Sequence, residues 1–167
     1  MAGMQRLLRN LFAGWWRMRR SFDAALLDDL AAAIAAGERG HLGEVRFALE
    51  SRLGIGAVLG GMDATARARQ VFAQLQVWDT ELNSGVLLYL LLAEHRVEIV
   101  VDRGVARRVP QAQWDAVRDK MLQCYARGQW REGSLQGIAA THALLQAVFP
   151  VGTASQVDEL PDRPTLL

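Results

Sequence analysis

Apolar positions recur along this chain with two periods. From residue 4 to residue 22 the period is helical. Met4, Leu8, Leu11, Trp15, Met18 and Phe22 share one face, and Arg6, Arg9, Arg17 and Arg20 fall opposite. Residues 23–36 are rich in alanine and leucine and predict a second helix stopped by Gly37. Residues 44–50 (EVRFALE) alternate polar and apolar, as a strand does. Residues 53–61 (LGIGAVLGG) read as a glycine-rich loop, after which Asp63 caps a helix to about Leu75. Residues 78–84 form a polar loop. Residues 85–93 (GVLLYLLLA) are almost wholly apolar, as expected of a strand covered on both faces. A short turn at Glu94-His95-Arg96 leads to residues 97–101 (VEIVV), so the two runs predict a hairpin. Pro110 opens a helix to about Ala126, Gly128 breaks it, and a last helix covers residues 132–148. Residues 151–167 hold two prolines and no periodicity, which predicts a flexible tail.

The order α-β-α-β-β-α-α, preceded by an amphipathic N-terminal helix, places the chain in the α/β class. The strand–helix–strand unit implies a right-handed parallel crossover, and the hairpin adds an antiparallel strand. The expected architecture is a three-layer α/β/α sandwich around a small mixed sheet. Residues 1–22 would be the N-terminal helix, 23–150 the domain and 151–167 the tail.

Length and composition fit a single globular domain: 167 residues, 51% hydrophobic and 22% charged. Nineteen Lys+Arg against 18 Asp+Glu give a net charge of +1, which excludes a strongly basic nucleic-acid binder. One cysteine, Cys124, excludes an intrachain disulfide framework. The apolar run 82–93 falls short of the roughly 20 residues needed to cross a bilayer. Charge is unevenly placed: residues 1–20 hold Arg6, Arg9, Arg17, Arg19 and Arg20 and no acid. The segment lacks the apolar core and cleavage site of a secretory signal. Tryptophan and arginine in this arrangement suit the plane of an anionic membrane. Leu8, Leu11, Trp15, Arg17 and Arg20 are the candidate contacts, which implies a cytoplasmic protein peripheral to the inner membrane. The other reading buries the stripe against the domain, against a protein partner, or against a second copy as a homo-oligomer contact.

Candidate chemistry is sparse. The glycine loop is GxGxxxG followed by Met62-Asp63, which is neither a dinucleotide fingerprint nor a Walker loop, so it reads as a turn. Asp79, Glu81 and Asn83 alternate in the polar loop and resemble the start of a calcium loop without the rest of an EF-hand. They are the candidate ligands for Ca²⁺ or Mg²⁺; the other reading is a loop capping its own backbone. His41, His95 and His142 are scattered, with no zinc spacing. No serine stands in a nucleophile elbow, and Cys124 lacks a basic neighbourhood. Glu98 and Asp102 read as a plain surface strand as readily as a pair facing a cleft.

The order of elements, with Asn83-Ser84-Gly85-Val86-Leu87-Leu88, the hairpin, Gly104, and Gly128-x-x-x-x-Gly133, resembles the TPM-domain family. Three strings resemble a short bacterial subgroup of it: His41-Leu42-Gly43-Glu44-Val45-Arg46-Phe47, Val77-Trp78-Asp79-Thr80-Glu81-Leu82-Asn83, and residues 97–104 (VEIVVDRG). The resemblance covers residues 22–150. It implies an α/β/α sandwich with a divalent cation near the loop before the hairpin. It also implies either phosphatase activity or a non-enzymatic role in assembly or repair. Asp79 and Asn83 match the acidic and asparagine positions of that loop. The family's hairpin pattern departs here: its strand glutamate falls on Val100, its Gly-Tyr pair on Asp102-Arg103, and its Glu-Gly pair on Ala106-Arg107. Those changes remove carboxylates from the expected cleft. The sequence therefore points to a non-catalytic, membrane-associated module for assembly or maintenance, with a divalent-metal-dependent phosphatase as the alternative.

Overall fold

The computed structural model of the chain describes residues 2–12, 15–152 and 159–167. Its helices are α1 (Ala2–Phe12), α2 (Trp15–Ser21), α3 (Ala24–Glu38), α4 (Ile55–Leu59), α5 (Ala64–Gln74), α6 (Arg103–Ala106), α7 (Gln111–Ala126) and α8 (Trp130–Val148). Its strands are β1 (Glu44–Glu50), β2 (Gly85–Leu91), β3 (Arg96–Val101) and β4 (Thr165–Leu166), in the order β3-β2-β1-β4. β1 and β2 pair in parallel from Glu44↔Gly85 to Glu50↔Leu91, and β2 and β3 pair antiparallel from Val86↔Val101 to Leu91↔Arg96. The mixed α/β fold, the crossover and the hairpin agree with the sequence reading.

Strand alternation sorts the core into two layers. Val45, Phe47, Leu49, Val86, Leu88, Leu90 and Val97 pack with buried residues of α3, α7 and α8, together with Met18 of α2 and Phe22. Ala48, Leu87, Tyr89 and Leu91 pack on the other side with Val58 of α4 and Ala64, Ala68 and Val71 of α5. Every residue of β2 is buried, which is why residues 85–91 carry no alternation.

Four local expectations are corrected. The glycine-rich segment 53–61 contains α4. Val58 N–H bonds Gly54 C=O at 3.1 Å and Gly60 N–H bonds Gly56 C=O at 2.9 Å, and burial of Val58 in the second layer stabilises the turn. Gly37 does not stop α3, which runs on to Glu38. A Cβ at position 37 would overlap the His142 ring, so the glycine admits a close approach of α8. The apolar stripe of residues 4–22 is not one face. Met18 and Phe22 are 1% and 2% exposed, while Met4, Leu8 and Leu11 are 65%, 44% and 42% exposed. Residues 13–14 lie outside the described residues, as do the side chains of Trp15 and Arg17.

The fourth correction concerns the tail. Residues 153–158 lie outside the described residues, but the end of the chain is tied down. β4 adds a parallel strand at the edge of β1 through Ala48↔Thr165 and Leu49↔Leu166. Leu160 is buried in the second layer, and its N–H donates to Glu44 Oε2 at 3.2 Å. Arg46 donates to the carbonyl of Pro161 and, at 2.7 Å, to Thr165 Oγ1. A polar residue at the centre of β1 thereby receives its partners from the C-terminal strap.

Candidate functional site

The polar loop between α5 and β2 is folded by its own backbone. Asp79 N–H donates to Gln76 C=O at 2.9 Å and Asn83 N–H to Thr80 C=O at 3.1 Å. Ser84 N–H donates to Thr80 Oγ1 at 2.9 Å, and Ser84 Oγ donates to Leu42 C=O at 3.0 Å. Asn83 takes the left-handed conformation, φ 51°, which a short polar side chain tolerates. Gly85 lets the loop return across the start of β2: a Cβ there would overlap the Val77 carbonyl.

The far wall is α6. Asp102 caps it, accepting from Arg103 N–H at 2.7 Å. Gly104 N–H donates to Asn83 C=O at 3.0 Å. A Cβ on Gly104 would lie 2.5 Å from the Asn83 oxygen and 2.6 Å from the Leu82 oxygen, so helix and loop meet at van der Waals closeness. Arg103 Nε donates to Asn83 Oδ1 at 2.8 Å. Between the walls lies a cleft of about 390 Å³ lined by Leu82, Asn83, Arg103, Gly104, Arg107 and Arg108.

This donor set does not fit a divalent cation. Asp79 and Glu81 are exposed, and the Glu81 amide is held by the Glu159 carboxylate at 3.1 Å. The Asn83 amide oxygen, the third expected ligand, already accepts from a guanidinium, itself a cation. Among the described residues no three or more His, Cys, Asp or Glu side chains are placed to hold a metal ion. Glu98 and Asp102 do not share a cleft: Glu98 accepts from Thr65 Oγ1 at 3.1 Å, whereas Asp102 is buried as the cap of α6.

Two other sites bring together residues that are distant in sequence. His41 and His142 are both buried, and Nε2 of the first lies 2.7 Å from Nδ1 of the second. Gly43 N–H donates to His41 Nδ1 at 3.0 Å, so the His41 proton sits on Nε2 and points at His142. Burial lowers both imidazoles to a pKa of about 4, with the Gly43 hydrogen bond opposing the shift at His41 and His41 itself adding to it at His142.

The second lies under α1. Asn10 is fully buried; its Oδ1 accepts from Leu53 N–H at 2.8 Å and its Nδ2 donates to Glu94 Oε1 at 2.9 Å. Arg6 Nε donates to the same carboxylate oxygen at 2.8 Å, and its terminal nitrogen to the Met62 carbonyl. Leu7 packs partly buried against the second core layer. The helix therefore docks through Arg6, Leu7 and Asn10 and turns Leu8 and Leu11 outward; Arg20 of α2 is also exposed. Periodicity missed Asn10 because it scores a buried polar position as a surface one.

A family model for the TPM domain matches residues 20–144. Among solved structures, the chain is similar to the BA42 protein of the psychrophilic bacterium Bizionia argentinensis. The identity is 27% and the TM-score 0.76, over 86% of this chain and 94% of that one. It is also similar in fold to the N-terminal domain of a protein from P. gingivalis, with 20% identity and a TM-score of 0.60 over 76% of this chain and 78% of the other. No curated protein matches the chain. The fold, the loop before the hairpin and the extent of the match agree: this chain belongs to the TPM domain family.

Proposed function

We propose that this TPM-domain chain is a non-catalytic binding module that attaches peripherally to an anionic membrane surface, on its cytoplasmic side, and serves in assembly or maintenance there. The observation that carries the reading is the orientation of α1. Its polar residues Arg6 and Asn10 are fixed against the domain, and its apolar residues Met4, Leu8 and Leu11 face outward. α1 packs against α4, which adds exposed Ile55 and Leu59, 43% and 72% accessible. Arg9 and Arg20 are exposed on the same N-terminal segment, and Arg52 donates to the Leu11 carbonyl at the end of α1.

Charge favours a membrane over a second copy. A two-fold contact through the outward side of this segment would set exposed Arg9 and Arg20 near their own copies, with no acid in residues 1–20 to offset them. An anionic surface instead gains about 1 kcal/mol per basic residue, in a salt-dependent way. Among the described residues no helix is long and apolar enough to cross a membrane. The non-catalytic part of the reading rests on the cleft beside α6, where guanidinium groups stand in place of a carboxylate ligand set.

The test is co-sedimentation with vesicles, comparing the full chain with the double variant Leu8→Ser/Leu11→Ser. Both positions are exposed, so the variant retains its core. We expect the full chain to sediment with anionic vesicles and not with neutral ones, less at high salt, and the variant to stay in the supernatant. Equal sedimentation of the two proteins overturns the reading.

A further inference from the structure

We propose that the cleft between the loop at Leu82-Asn83 and α6 is an anion site for the phosphate group of a small molecule, held by Arg103, Arg107 and Arg108. This goes beyond membrane attachment and rests on different residues. The three guanidiniums line one cleft of about 390 Å³, large enough for a phosphorylated small molecule rather than a bare ion. Among the described residues none of the three is in an ion pair with a carboxylate. Asp102, which caps α6, is buried and spends an oxygen on the N–H of Arg103, so it offsets part of the positive charge from beneath.

Two of the arginines are already oriented. Arg103 is anchored by its Nε to Asn83 Oδ1 at 2.8 Å, leaving the two terminal nitrogens to fork onto an oxyanion. Arg108 lies over the Phe149 ring, its central carbon 4.4 Å from the ring centre. Less side-chain entropy remains to be lost when a ligand arrives. Arg103 and Arg107 are four residues apart, one helical turn, where like charges repel in the free protein. A dianion between them relieves that repulsion. The forked guanidinium matches the oxygens of a phosphate, and three such groups exceed what a single carboxylate would neutralise.

The experiment is a titration of the full chain with inorganic phosphate, followed by backbone and arginine side-chain NMR, against sodium chloride at matched ionic strength. We expect saturable shifts confined to residues 82–83 and 103–108. In Arg107→Ala the phosphate affinity should fall by about tenfold, as for loss of one charge-assisted contact. The exposed-site control Arg69→Ala should bind as the unaltered chain does. In the Arg107→Ala/Arg108→Ala variant binding should vanish while sedimentation with anionic vesicles is retained, which separates a free phosphate ligand from a lipid headgroup. Shifts that follow ionic strength without saturating, or that spread over all exposed arginines, overturn the site. So does binding that survives in the double variant, or a double variant that loses vesicle binding along with phosphate.

Discussion

Asn10 and Glu94 meet 2.9 Å apart, Nδ2 to Oε1, across 84 residues of sequence, and the amide is fully buried. The other end of the same amide takes the Leu53 N–H at 2.8 Å. A single side chain thus joins α1 to the turn after β2 and to the segment before α4.

The first prediction follows from that join. Asn10→Ala leaves the Leu53 N–H without its acceptor and removes a donor from the Glu94 carboxylate. A buried group left unsatisfied costs about 1–3 kcal/mol. The loss should fall on the docking of α1 rather than on the sheet. Hydrogen exchange should show faster exchange at the α1 amides and unchanged protection in β2. Unaltered protection across α1 would count against this account of how the helix is held.

The second prediction concerns acid. His41 and His142 are held neutral in the fold with pKa values lowered from 6.5 to about 4 by burial. The unfolded chain therefore binds more protons than the folded one between these values. Stability from the pair is fully present above pH 6.5 and is lost as pH falls toward 4. Urea unfolding at pH 7 and pH 5 should show a lower midpoint at pH 5, with an unchanged slope. His142→Phe/His41→Leu, which removes both titrating groups, should narrow the difference.

Much of this architecture was legible because the strands announce themselves. Residues 44–50 show a strand by their alternation, residues 85–91 carry their burial in their composition, and Gly85-Val86-Leu87-Leu88 marks the start of the central strand. What escaped was decided by partners distant in sequence. Gly37 looks like a helix stop, and only the ring of His142, on α8, explains it. Arg46 looks like the solvent position of a half-buried strand, yet it is 6% exposed because the C-terminal strap covers it. β4 has two residues and no periodicity to detect. At the candidate site, the loop 79–83 was recognisable as a loop. That Arg103 would reach the Asn83 oxygen depends on how α6 folds back over it, a tertiary contact that no spacing encodes.

The third prediction is that millimolar Ca²⁺ or Mg²⁺ leaves the melting temperature unchanged. A ligand present at about 100 times its dissociation constant would stabilise by about 2.7 kcal/mol. The Asn83 oxygen is held by Arg103, and Asp79 and Glu81 are exposed, so the loop as folded does not present these three side chains as a ready ligand set. A melting curve that rises with Ca²⁺ and loses the rise in Asp79→Ala would show that the loop rearranges around a cation.

The fourth prediction concerns alkali. Burial pushes the Glu38 carboxyl up to about 9; its bond from Val45 N–H opposes the shift, and Glu44 and Asp162 add to it. Glu38 is therefore protonated in the fold at neutral pH while the unfolded chain is ionised. Its contribution is fully present below the unfolded value of 4.5 and is lost as pH rises toward 9. Glu38→Gln keeps an oxygen for the Val45 N–H and has no proton to lose. Its unfolding midpoint should be flatter between pH 7 and pH 9 than that of the unaltered chain. Parallel pH profiles would exclude Glu38 as the source.

The last prediction tests the strap. Residues 159–167 give Arg46 its oxygen partners and supply the Leu160 N–H to Glu44; they also seat Leu160 in the core and pair with β1 through Leu167 N–H to Leu49 C=O at 2.8 Å. Deleting them removes the hydrogen bonds to the Arg46 guanidinium, and hydrogen bonds to a charged group contribute about 1.5–3 kcal/mol each. It also uncovers the edge of β1, an invitation to pair with another chain. The shortened protein should melt at a lower temperature and scatter light on concentration. Arg46→Met in the full chain separates the two effects. It removes the same hydrogen bonds while the strap still pairs with β1, so it should lower the melting temperature without making the protein prone to associate. A shortened chain that melts like the full one would mean that the strap lies on β1 without stabilising it.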